Sequence, residues 1–276
     1  MSRIKILFFA VIIGLQAYGQ GWIGLRSAAE AGMASSGTMG QDVWSGFGNP
    51  AGLSVKPSLL IGLSTSSRFS MKEFLNKGLA VSAPVPGGVM AFSGSYFGDA
   101  SYSEQRYNLA FSKKLLNGFW SGITLDYCRL AQGGGYGGAG AFTFSVGMLT
   151  RLNEQTYLGT YIFNPLKSKA GGLVEAEIPA IMRLGIGYVF SSELRGIAEV
   201  EKISNQKAGV NLGAEYQAFH TLFLRAGVNT YPGSWSLGMG LLWNRLRLDL
   251  VTEMHPTLGL CPQAAISYTL KSNPNE

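Results

Sequence analysis

Cysteine and histidine are nearly missing from this chain, with two of each in 276 residues. Thiols as far apart as Cys128 and Cys261 form no disulfide framework and no metal-ligand spacing. An oxidising compartment would allow them to pair, but two free, buried thiols on separate strands are the expected outcome. So little histidine also leaves most hydrolytic chemistry without a base. His220 falls in a turn, and His255 lies at a strand end with Glu253 on the same row and no activated nucleophile beside it. Charged residues make up only 14% of the chain, and the basic excess of +6 is scattered through strands and turns, which argues against nucleic acid as a partner. The run Gly133 to Gly138 lacks the lysine and following helix of a phosphate loop. Neither an enzyme, a metal nor a cofactor is therefore expected.

Long apolar runs are scarce as well. One stands at the start: Arg3 and Lys5 precede an apolar stretch from Ile6 to Leu15, followed by the small-x-small sequence Ala17-Tyr18-Gly19. The stretch falls short of the roughly 18 to 20 residues that a spanning helix needs. It reads as a secretory signal over residues 1–19, cleaved near Gly19, which exports the chain.

Glycine and aromatics are plentiful, at 38 Gly, 12 Tyr and 15 Phe. From Ser58 onward the sequence divides into alternating apolar runs of about 8 to 13 residues separated by Gly, Pro, Asn or Ser turns. Fourteen such runs begin near Ser58, Gly78, Gly88, Tyr102, Gly118, Ala139, Gln155, Ile178, Glu193, Lys207, His220, Ser234, Leu246 and Gly259. Successive side chains on a strand face opposite ways. Ala208, Val210, Leu212, Ala214 and Tyr216 thus form one row against Gly209, Asn211, Gly213, Glu215 and Gln217. Leu246, Leu248, Leu250 and Met254 oppose Arg247, Asp249, Glu253 and His255, and Ala180, Met182, Leu184, Ile186 and Tyr188 oppose Arg183 and glycines.

A soluble sandwich would alternate too. Three features favour a transmembrane barrel: the even strand count, a polar row rich in glycine, and aromatics near run ends, where interfacial girdles sit (Trp120, Tyr188, Phe190, Tyr216, Trp235 and Trp243). The expected architecture is an all-β, 14-stranded antiparallel transmembrane β-barrel over residues 58–270, with a periplasmic tail at 271–276. Charged residues of both signs on the polar row, Arg183, Glu199, Glu201, Glu215, Arg225, Arg247 and Asp249, are expected to form a network inside the lumen, since a basic residue on the lipid face costs about 2 to 4 kcal/mol near the midplane. Structural ion pairing is their expected role, with gating or substrate contact the alternative. With the N-terminal segment on the periplasmic side, the turns Pro84-Val85-Pro86, Leu152-Asn153-Glu154, Ser191-Ser192 and Asn244-Arg245 fall there. Thr65 to Lys77, Gly133 to Gly138 and Asn164 to Pro179 fall outside.

The small-residue stretch Arg26 to Leu53, ending in Asn49-Pro50-Ala51-Gly52-Leu53, resembles the N-terminal hatch of FadL-type outer-membrane barrels. Within that superfamily the last third is similar to the PorV and PorQ secretion proteins, through Gly213-Ala214-Glu215-Tyr216, Leu224-Arg225-Ala226-Gly227, Ser236-Leu237-Gly238-Met239-Gly240 and His255 to Gly259. The resemblance implies an N-terminal plug over residues 20–57, folded into the lumen of an outer-membrane barrel in a Gram-negative cell, with Asn49-Pro50 turning the chain toward the first strand. It implies one of two functions. The first is a passive conduit for small hydrophobic molecules, with Met33, Met39, Val43, Trp44 and Phe47 as candidate ligand contacts. The second is a non-transporting scaffold in a larger outer-membrane secretion or attachment complex. The long external loops of the fatty-acid transporters are missing here, which separates this chain from their substrate.

Overall fold

The computed structural model describes residues 21–134, 137–171, 176–256 and 259–272. The signal reading at 1–19 and the end of the C-terminal tail lie outside them. Among the described residues, the order begins with β1 (Ser58–Ser67), β2 (Leu75–Val85), β3 (Gly88–Gly98), β4 (Tyr102–Leu116), β5 (Phe119–Gln132), β6 (Gly137–Arg151) and β7 (Thr156–Phe163). Two short pieces, β8 (Lys169–Ala170) and β9 (Ala176–Glu177), pair only with each other. The chain continues through β10 (Ile181–Val189), β11 (Leu194–Ile203), β12 (Gly209–Phe219), β13 (Leu222–Asn229), β14 (Trp235–Trp243), β15 (Leu246–His255) and β16 (Gly259–Ser272). Leaving out β8 and β9, these strands form a closed antiparallel barrel of fourteen, sealed where β1 pairs with β16 as Gly62 opposite Ser267 and Leu63 opposite Ile266. Closure removes every free edge, which an open sheet of this size would expose.

Alternation sets the two faces. On β10, Met182, Leu184, Ile186 and Tyr188 point outward while Ile181, Arg183, Gly185 and Gly187 are buried. The same parity puts Val210, Leu212 and Tyr216 outside and Asn211 and Glu215 inside on β12. Connections at one end are tight, spanning 86–87, 117–118, 152–155, 190–193, 220–221 and 244–245. At the other end they vary more, from the short 99–101 to the longest, 164–180, which carries β8 and β9.

Several sequence expectations need correction. β1 runs on to Ser67 and β2 starts at Leu75, so the connection placed at Thr65 to Lys77 shrinks to 68–74. β2 likewise includes Pro84 and Val85, and its turn is made by Pro86 and Gly87, the latter at φ 88°. Trp120 shares the inward parity of Thr124 and Asp126 and is buried at 7% exposure, so it is no girdle residue. Both cysteines are free, but only Cys128 is buried; Cys261 lies half-exposed near a strand end, where its sulfur accepts from the Phe69 N–H at 3.4 Å.

Residues 21–57 are not part of the wall. They hold two single-turn helices, α1 (Gly21–Gly24) and α2 (Ala28–Ala31), and 3-10 turns at Val43–Gly46 and Pro50–Ser54. The stretch touches every one of the fourteen wall strands, and a stretch that does so can only lie inside the barrel.

Candidate functional site in the barrel interior

Small residues on both surfaces let the internal segment approach the wall. A Cβ added at Gly122 would stand 2.6 Å from the carbonyl carbon of Pro50 and 2.8 Å from the nitrogen of Ala51. One added at Gly159 would meet the Thr38 carbonyl oxygen at 2.6 Å, so backbone lies against backbone at both places. Asn49 organises this contact. Its side-chain oxygen accepts from the Ala51 N–H at 3.1 Å, capping the turn that Pro50 begins, while its amide nitrogen donates to the carbonyls of Thr38 at 2.8 Å and Met148 at 2.9 Å. Pro50–Ser54, capped by Asn49, therefore form a buried 3-10 turn gripping β5 and β6, and the chain reaches β1 four residues after Ser54. Ser54 continues the grip through a 2.7 Å hydroxyl contact with Ser112.

Charge holds the other half of the segment. Arg26 donates to Glu201 at 2.9 Å and to the Ser35 carbonyl at 2.7 Å, and the Thr38 N–H donates to Glu199 at 2.8 Å. Arg183 pairs with Glu201 at 2.5 Å and approaches Glu199 at 3.8 Å. A second chain of ion pairs crosses the wall from β11 to β15. It runs from Arg195 to Glu215 at 2.8 Å, on to Arg225 at 2.6 Å, to Asp249 at 2.8 Å and to Arg247 at 2.8 Å. The seven lumen charges singled out in sequence thus fall into two groups, one tied to the internal segment and one spanning β11–β15.

Further polar groups join them. Arg106 pairs with Asp126 at 2.8 Å, donates to the Trp22 carbonyl at 3.2 Å, and stacks against Phe163 and Phe47 with its Cζ 4.2 and 5.4 Å from the ring centres. Glu104 accepts from the backbone N–H groups of Gly21 and Trp22 at 2.9 and 3.1 Å. Their signal in sequence was parity alone: Glu104, Arg106 and Asn108 share one row of β4, as Thr124, Asp126 and Cys128 share one row of β5. Inside the segment, Asp42 accepts from Ser27 and from the Trp44 N–H, and burial pushes its carboxyl upward against those bonds. Burial, then the neighbouring Asp42 charge, holds the Glu30 carboxyl well above the ordinary range.

The five apolar candidate contacts do not share one pocket. Val43, Trp44 and Phe47 pack with Leu25 and Ala80, whereas Met33 and Met39 pack with Ala51, Trp120 and Leu149. Met33 and Met39 also line a cavity of about 110 Å³ between the segment and the wall.

These features define a class: a closed fourteen-strand β-barrel with an apolar outer row and its own chain packed through the interior. No family model matches the sequence, and no curated protein does. Among solved structures it is similar to the Pseudomonas putida toluene transporter TodX, at TM-score 0.68 and 12% identity over 89% of this chain and 99% of that one. A FadL homologue from Pseudomonas aeruginosa gives 0.66 and 11%, over 89% and 98% of the two chains. The monoaromatic hydrocarbon channel CymD gives 0.58 and 14%, over 89% and 97%. At these identities the likeness is one of fold.

Proposed function

We propose that this protein is an outer-membrane barrel that lets small hydrophobic molecules pass without energy input, with residues Arg26 to Leu53 acting as a plug. The observation that carries this reading is an interior blocked by a separate stretch of chain, held through hydrogen bonds, ion pairs and packing alone, inside a wall whose outer row is apolar. Such an obstruction can shift without unpairing a wall strand. The outer row suits lipid and the inner row does not. Support also comes from the fold shared with hydrocarbon channels. Met33, Met39, Val43, Trp44 and Phe47 are the apolar surfaces that a cargo would meet once the plug moves, and Asn49 to Leu53 are the fixed end about which it moves. Nothing found among those structures favours a secretion scaffold specifically.

Uptake decides the matter. Cells carrying the protein should accumulate labelled toluene-sized and longer apolar compounds faster than cells without it. Equal uptake across a broad panel, together with stable co-purification in a larger assembly, would replace the conduit by the scaffold.

A further inference from the structure

The ion-pair ladder of β11–β15 has an arginine at each end, and both ends line the 110 Å³ cavity. Three guanidinium groups face two carboxylates along it, so the ladder is not neutral. Lys56 also lines the cavity and makes no ion pair among the described residues. Asp42 offsets one of these charges, with its oxygens already engaged by Ser27 and Trp44. Two buried atoms on lining residues have no hydrogen-bond partner: Nε of Arg195 and Oε1 of Glu30, a residue only 3% exposed. Burial, then the neighbouring Asp42 charge, raises the Glu30 carboxyl well above its ordinary range. The unused donors at this cavity are the Arg195 Nε–H and the Lys56 ammonium, and Lys56 with the ladder carries a net positive charge. Unsatisfied buried donors are individually unfavourable, and an anion would answer all of them together.

We propose that this cavity is a binding site for a small oxyanion, held by Lys56 of the internal segment and by Arg195 and Arg247 of the wall. Its volume equals about three to four waters, enough for a phosphate or carboxylate group. It lies on the lumen side of the wall, away from lipid headgroups, so the ligand is a free ion. Because the ion touches both segment and wall, it fastens one to the other.

The test uses the full protein in detergent, titrated with inorganic phosphate and separately with acetate against chloride at matched ionic strength. Saturable calorimetric binding of either, with a raised unfolding midpoint, is expected. Lys56→Met and Arg195→Gln should each weaken it about tenfold. Lys56 is exposed, so its replacement leaves the fold intact, as heat-modifiable migration would verify. No saturable response beyond that to chloride would overturn the site. So would unchanged affinity in folded Lys56→Met and Arg195→Gln.

Discussion

Two arcs of the same wall hold the internal segment, one by shape and one by shape with charge added. From β10 to β15 charge is added to close packing: Glu199 and Glu201 reach Thr38 and Arg26, the ladder from Arg195 to Arg247 stands behind them, and Met33 and Ala34 lie against Gly213 and Gly227. Over β5 to β7 the contacts are steric, with Pro50, Ala51 and Thr38 against Gly122 and Gly159. Charged contacts tolerate small displacements and exchange readily with water; a glycine–backbone contact fails once a few tenths of an ångström are added. One side of the segment is therefore held by shape, the other by shape and charge together.

The largest effect should come from the middle of the ladder. Arg225 has a fully buried side chain bonded to both Glu215 and Asp249. Arg225→Met would leave two carboxylates with one partner each in the interior, and a loss of about 3 to 5 kcal/mol in unfolding free energy is expected. Denaturant titration in detergent measures it.

On the steric arc, Gly122→Ala should lower stability by about 1 to 3 kcal/mol through overpacking against Pro50 and Ala51. The diagnostic readout is local. Amide exchange at 49–54 should rise while that of the ladder strands stays as before, and equal changes on both arcs would dissolve the distinction.

Much of this architecture was readable from alternation, because a period of two assigns each side chain of a strand to one face. Met182, Leu184 and Ile186 against Arg183, or Asn211 and Glu215 against Val210 and Leu212, needed nothing more. Trp120 was misread because position near a run end was given more weight than parity. The 68–74 connection was overestimated because Ser66, Ser67, Asn76 and Lys77 look like loop residues, yet they pair in register across β1 and β2. The pairings inside the lumen were out of reach for another reason. Whether Arg106 meets Asp126, or Glu104 meets the N–H groups of Gly21 and Trp22, depends on strand register and on the path of a segment with no periodicity of its own. Glu30 was missed because it lies in an alanine-rich stretch whose burial only the closed barrel creates.

The smallest effect should fall at the end of the ladder, where the side chain of Arg247 is 30% exposed and Asp249 keeps Arg225 as a partner. Arg247→Met should cost about 1 kcal/mol or less, since a partly solvated pair gains little over its hydrated groups. Salt provides the sharper criterion. Screening acts on exposed charges far more than on buried ones. Raising ionic strength should therefore shrink the Arg247→Met difference toward zero while leaving that of Arg225→Met almost unchanged. Equal salt sensitivity at the two positions would mean that water reaches the whole ladder, and the charged arc would then be a hydrated surface that holds the segment weakly along its full length.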